Sequence, residues 1–342
     1  MMSRRNRLVT LVVSVVAVLA LIVVFVASGG GSDFSGPGTG KAVVIVVRGD
    51  SLSGIANTLV QAGVVASESA FLDAAQGNDK SQTIGPGRYT LLREMSGEGA
   101  LALMLDPKSR ADSRLVLPEG LRLQQSVQTT AQATGIATES LDESLKNSAA
   151  LGLPAWAKGQ PEGMLFPASY DLAGDESADD VVKMLFKRFN QESRELDLEA
   201  RAAALQSDPY SIMVIASMIQ AEGHPGDYTK VSRVIYNRLE AGMPLQLDST
   251  VAYGLGITQL SLTGEQLKSD TPYNTYVNKG IPPTPINSPG SAAIMAALSP
   301  APGKWLYFVT VNPDTGETRF ARNYSKFLRD KAVLTEYLRT HG

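Results

Sequence analysis

Apolar positions recur along the chain at several distinct spacings, and each spacing predicts a different kind of element. Residues 8–27 read LVTLVVSVVAVLALIVVFVA, apolar apart from Thr10 and Ser14, and about 20 such residues in succession are enough to cross a bilayer core as one helix. Residues 28–40, SGGGSDFSGPGTG, hold a single large apolar side chain among glycines and serines, which predicts a flexible tether with too little surface to bury. The β-branched block AVVIVV at 42–47, closed by Arg48-Gly49-Asp50, predicts a strand. Leu52, Ile55, Ala56 and Leu59 then recur at helical spacing until Gly63, with Asp50 or Ser51 as N-cap. IGPGRYTLLREM at 84–95 predicts a turn and a second strand, and SGEGALALML a helix, so that a small module closes near Pro107.

The remainder is richer in helical spacing. From Leu115 the sequence LVLPEGLRL gives a strand followed by Pro118-Glu119-Gly120, and residues 178–189 place Val181, Val182, Leu185, Phe186 and Phe189 on one stripe. PEGMLFPASYDL at 161–172 predicts an extended turn able to form a groove wall. Asp208 and Pro209 suit the N-cap and first position of a helix through PYSIMVIASMIQAE, whose buried stripe is Ile212, Ile215, Ala216 and Ile219, and Gly223 is the expected left-handed residue that stops it. Asp227 is the expected cap of the next helix, DYTKVSRVIYNRLEAG, with Val231, Val234, Ile235 and Leu239 buried and Gly242 at its end. WLYFVTV at 305–311 and ETRFAR at 317–322 flank Asn312-Pro313-Asp314-Thr315-Gly316 as a hairpin, followed by a helix from about Ser325. The fold class expected is α+β.

Charge and composition remove whole classes of function. With 31 basic and 34 acidic residues the net charge is −3, which offers no electrostatic footprint for nucleic acid. The chain has no cysteine and only two histidines, His224 and His341, so thiolate chemistry is excluded and a metal site through Glu222 and His224 lacks ligands. Arg4, Arg5 and Arg7 precede the long apolar run and no basic residue follows it until Lys41. The positive-inside bias then puts the N-terminus in the cytoplasm and the rest outside. That run exceeds the ~7–15 residues of a signal peptide's apolar region, which favours a retained anchor over a cleaved signal.

One titratable residue is placed unusually. Glu222 lies three residues beyond Ile219 and seven beyond Ile215, on the apolar edge of its helix and at the negative end of the helix dipole. Both effects favour its protonated form, which suits a general acid. A glutamate solvated at a helix end fits the same spacing. Asn237 flanks the next helix beside Val234, where its amide could look into the site. Gln246 and Asp248 alternate with Leu245 and Leu247, so the two polar side chains share a face. Tyr273, Asn274 and Tyr276 sit in a proline-rich loop at 271–290, where rigid aromatic and amide groups suit sugar rings and their substituents, or a stiff structural loop.

ASMIQAE, NRL, LQLDSTVAYG, PYNTY and GIPPTPINSPG resemble, in order and spacing, the motifs of the endolytic murein transglycosylases, the YceG-like family, over roughly residues 41–330. PEGMLFPASY resembles that family's LEGYLFPDTY signature. The resemblance puts the catalytic glutamate on Glu222 and substrate-binding positions on Asn237, Gln246, Asp248, Tyr253, Tyr273, Asn274 and Tyr276. Two departures stand out: Gln220 replaces a second glutamate that the family often carries, and Ala168-Ser169 replaces the Asp-Thr of PDTY. The opening strand and GDSLSGIA resemble a LysM module, a small domain associated with N-acetylglucosamine polymers.

The organisation expected is a cytoplasmic tail at 1–7, a transmembrane helix at 8–27, a linker at 28–40, a LysM-like module at 41–108 and a catalytic domain at 109–342 with its site core at 160–325. The resemblance implies cleavage of the MurNAc–GlcNAc β-1,4 bond within peptidoglycan glycan strands to give 1,6-anhydro ends. It also implies proximity to penicillin-binding synthases, while the apolar run and its basic flank predict a single-pass membrane anchor with the catalytic domain extracytoplasmic, and no cofactor is expected. A muramidase-type hydrolase using Glu222 with Asp248, and a non-catalytic wall-binding scaffold, are the alternatives.

Overall fold

A computed structural model describes residues 33–47, 49–109, 114–258 and 262–341. The chain divides into two compact units, Met1–Ser113 with Asp171–Asp175, and Arg114–Tyr170 with Glu176–Gly342. The architecture is mixed α+β, many helices with three two-stranded sheets among the described residues. No described helix is long and apolar enough to cross a membrane. The span expected at 8–27 lies outside the described residues.

In the first unit, β1 (Pro37–Val46) pairs antiparallel with β2 (Gly87–Met95), from Pro37 opposite Met95 to Val46 opposite Gly87. Strand alternation sends Ala42, Val44 and Val46 into the core. There they meet Ile55, Ala56 and Leu59 of α1 (Leu52–Gln61), Phe71 of α2 (Glu68–Gln76), and Leu101 and Met104 of α3 (Gly97–Leu105). Ser51 is the N-cap of α1 and accepts the Gly54 N–H. The strand begins at Pro37, inside the stretch expected as linker. Its glycines serve pairing: a Cβ on Gly38 would sit 2.7 Å from the Arg93 carbonyl, and the register shifts between Thr39 and Lys41 as at a β-bulge.

The second unit opens with β3 (Arg114–Val116), paired with β4 (Ser169–Asp171), and α4 (Leu123–Thr134), α5 (Thr138–Lys146), α6 (Ala178–Glu195) and α7 (Leu198–Ala204). The central element is α8 (Pro209–Glu222), begun by the Asp208 cap on the Ser211 N–H with Pro209 at the first position. The expected apolar stripe is in fact a whole cylinder, since every residue from Ile212 to Ile219 is buried. Neighbours surround it: α7, α9 (Tyr228–Glu240), α10 (Asp248–Gly254) and α11 (Ser291–Leu298) all pack on α8. A helix apolar all round belongs in the core, so its last residue is delivered from the interior to the rim of the site. The hairpin of β5 (Tyr307–Asn312) and β6 (Glu317–Ala321) packs on α12 (Tyr324–His341).

Candidate active site

Glu222 ends α8 and is partly buried. The expected left-handed stop is absent, because Gly223 is extended, with φ −106 and ψ 157. Glycine is needed there for space: a Cβ would sit 2.8 Å from Tyr228 Cδ1 and 3.2 Å from the Ile219 carbonyl. Asp227 likewise does not cap α9 with its side chain and pairs with Lys230 at 2.9 Å instead.

The first turn of α10 reaches the carboxylate. Ser249 donates its backbone N–H (3.2 Å) and its hydroxyl (2.5 Å) to Glu222 Oε1. Burial pushes the Glu222 carboxyl above its ordinary value; the two Ser249 hydrogen bonds pull it back, and the neighbouring Asp248 charge pushes it up again. Glu222 can thus be protonated at a higher pH than a free glutamate while its anion still has two donors to stabilise it.

Glu222 lines a cavity of about 390 Å³ with Gln246, Asp248, Tyr276 and Arg238, and with the aromatic residues Tyr307, Tyr324 and Phe327. The expected alternation holds in burial, Leu245 and Leu247 being buried and Gln246 and Asp248 exposed, although all four border the cavity. Tyr276 donates its hydroxyl to Asp248 Oδ1 at 2.5 Å. Ser249 lines a different cavity of about 280 Å³, together with Glu119, Arg122, Gln220 and Asn287. The acid and the residue that holds it therefore border separate cavities.

Four of the expected site residues are engaged elsewhere. Asn237 does not look into the Glu222 cavity: its amide donates to the carbonyls of Trp305 (2.8 Å) and Gly303 (3.3 Å), fastening the segment before β5. Asn274 is wholly buried, its amide donating to Leu267 and Ser269 carbonyls and its oxygen accepting the Tyr276 N–H, so it shapes the loop that presents Tyr276. Tyr253 and Tyr273 pack at 4.8 Å between ring centroids, their planes tilted by 58°, and belong to a different cluster. The Tyr253 hydroxyl donates to Glu162 Oε2 at 2.8 Å, and the Tyr273 hydroxyl bonds Thr284.

Three residues in and around the site were not singled out from the sequence. Glu162, in the PEG turn, is buried and also accepts the N–H groups of Leu123 and Gly163, and burial pushes its carboxyl up to about 7. Arg238 is buried beside the cavity and donates to the carbonyls of Leu306, Pro244 and Leu245 and to Gln246 Oε1. Those bonds fix the bend in which Gln246 takes the left-handed φ of 53. Ser249 lies in the recognised LQLDSTVAYG segment beside Asp248, but nothing in its spacing announces contact with a residue 27 positions earlier. Among the described residues no group of three or more His, Asp or Glu side chains could hold a metal ion.

The fold thus presents a carboxyl raised above its ordinary value by burial, held by Ser249 and bordering a cleft lined by amide, carboxylate and aromatic groups. The chain belongs to the YceG-like family, whose model matches residues 44–333. It is 28% identical over 304 residues to the endolytic murein transglycosylase of Bacillus subtilis strain 168, covering 84% of this chain and 82% of that protein. The endolytic murein transglycosylase of Streptococcus pneumoniae strain D39 is 27% identical over 321 residues, covering 84% of this chain but 57% of that longer protein. The crystal structure of a yceG-like protein from Listeria monocytogenes superposes with a TM-score of 0.61 at 25% identity, covering 84% of this chain and 98% of the other.

Proposed function

We propose that this chain is an endolytic lytic transglycosylase of peptidoglycan, cutting the MurNAc–GlcNAc β-1,4 bond with Glu222 as its single acid/base. The observation that carries it is the Glu222 carboxyl, raised by burial and held by Ser249, with cavities bordering both residues. Glu222 borders one cavity and Ser249, which holds it, borders the other, and two openings at that pair suit a chain cut internally. The family and the relatives named endolytic murein transglycosylase support the same activity.

In the proposed reaction Glu222 gives its proton to the glycosidic oxygen as the C1–O4 bond breaks, leaving oxocarbenium character at C1. The resulting carboxylate takes the proton from the sugar's own 6-hydroxyl, whose oxygen bonds to C1 and closes the 1,6-anhydro ring. Glu222 ends protonated, as it began, and no water is consumed. Ser249 stabilises the carboxylate between the two transfers, and Tyr276, Asp248 and Gln246 hold the sugar.

Incubating the full chain in detergent with uncrosslinked glycan strands and analysing product ends by mass spectrometry tests this. Anhydromuramyl ends are expected. Reducing ends would replace it with the hydrolase that uses Asp248 as second carboxylate, and intact strands with a binding scaffold. Ser249→Ala is expected to move the alkaline limb of the pH–rate profile upward, because it removes one of the two hydrogen bonds that lower the Glu222 pKa. A uniform rate loss with an unmoved limb would reduce Ser249 to a packing residue.

The proposal extends to the rest of the chain. Residues 8–27 would anchor it with the N-terminus cytoplasmic, residues 41–108 would act as a LysM-like glycan contact, and proximity to penicillin-binding synthases would bring nascent strands to the site.

A further inference from the structure

Past Glu222 the same cavity opens onto three rings that the proton transfers do not use. Tyr307 on β5 lies 5.3 Å from Phe327 and 5.8 Å from Tyr324, and Tyr324 and Phe327 stack at 5.8 Å with 29° between their planes. Arg238 sits 5.0 Å from the Tyr307 ring and holds it in place, its guanidinium already engaged with backbone carbonyls. Along α12 the residues facing this cavity are Tyr324, Phe327, Lys331 and Leu334, a spacing of three and four that keeps them on one helix face.

Packing of the hairpin accounts for Tyr307 and Phe327 but not for Tyr324, which is 56% exposed. An amphipathic ring left half open on a cavity wall presents an apolar face with a polar tip. A pyranose ring has the complementary shape, apolar C–H faces with hydroxyls around its edge. Lys331 lies one turn further along and makes no ion pair among the described residues, whereas Asp330 beside it is paired with Lys326 at 2.5 Å.

We propose that Tyr324 and Phe327 form a stacking platform for a sugar ring of the glycan strand next to the bond that is cut, and that Lys331 meets a carboxylate carried by that sugar or its peptide. The platform rests on Glu222 as the cleavage centre, because it is placed by the cavity they share. The final helix is then part of the substrate cleft as well as the backing of the hairpin.

The test uses the full chain in detergent, carrying Glu222→Gln so that strands stay intact, and measures Kd for uncrosslinked, peptide-bearing glycan strands. Tyr324→Ala is expected to weaken binding about tenfold, while Tyr324→Phe stays within about twofold. Lys331→Glu is expected to weaken it by a similar factor, and that loss should shrink as salt is raised. In the Glu222-bearing chain Tyr324→Ala should raise KM with kcat little changed. Unchanged Kd for both Tyr324→Ala and Lys331→Glu would overturn the platform, and should Tyr324→Ala fail to fold, the exposed Lys331 decides alone. Failure of the cleavage assignment shows separately, as intact strands with the unmutated chain.

Discussion

Replacing Glu222 by glutamine is expected to remove strand cleavage while leaving the protein folded. General acid/base groups are worth about 10²–10⁴ in rate. A residue that serves both proton transfers belongs at the upper end of that range. Glutamine keeps the size of the side chain and an oxygen that can still accept the Ser249 N–H and hydroxyl, so the contacts around α10 survive. The amide cannot give up a proton to the glycosidic oxygen or take one from the 6-hydroxyl. Product-end analysis on the full chain, beside a thermal unfolding scan, checks both halves. Cleavage within about tenfold of the unmutated chain would remove Glu222 from the chemistry.

The second large effect is expected at Glu162 and concerns stability. Burial raises its carboxyl from the ordinary 4.5 to about 7, outweighing the bonds from Tyr253, Leu123 and Gly163 that favour the anion. A folded-state pKa above the unfolded one means that the fold binds the proton more tightly. The stabilisation is complete below about 4.5 and is lost as pH rises through about 7. Its size is on the order of 3 kcal/mol across that window. Glu162→Gln keeps a neutral acceptor and should flatten this part of the stability–pH curve, as read by urea unfolding between pH 4.5 and 8. Curves that run parallel for the two proteins would mean that Glu162 does not titrate in this window. Glu162→Ala goes further and leaves the Tyr253 hydroxyl and the Leu123 and Gly163 N–H groups without their acceptor. A loss of about 3–5 kcal/mol follows for a buried, multiply bonded group.

The two residues are linked through one short helix. Ser249 stands in the first turn of α10 and touches Glu222, while Tyr253 stands in its last turn and touches Glu162. Glu162 therefore helps fix the end of the element that presents the hydroxyl to the acid. The resemblance of the PEG turn to a family signature pointed at this stretch. It did not say that the glutamate itself was the buried anchor.

The elements were legible wherever a local rule governs them. Asp208-Pro209 starts α8 as its cap chemistry predicts, the hairpin at 307–321 follows from its turn residues, and burial of Leu245 and Leu247 follows from alternation. The same rules placed Glu222 at a helix end on an apolar edge. They failed where the outcome depended on a distant neighbour. Position 223 needs a glycine because Tyr228 approaches it and not for a left-handed turn, α8 is buried on every side because four helices surround it, and Gly38 belongs to a strand because Arg93 and Met95 lie opposite.

The sequence by itself therefore determined the α+β class, the family and the place of Glu222 at a helix end on an apolar edge, since periodicity, capping and motif order are properties of neighbouring residues. Only the tertiary structure decided what surrounds that carboxyl. It put Ser249 on Glu222, gave Asn237 and Asn274 to the scaffold, put Tyr253 on Glu162 with Tyr273 against its ring, and turned the final helix toward the cavity. Each of these is a contact between residues far apart in the chain. Which of the available amides, hydroxyls and rings meets the acid is set by how the helices pack and not by any spacing along the sequence.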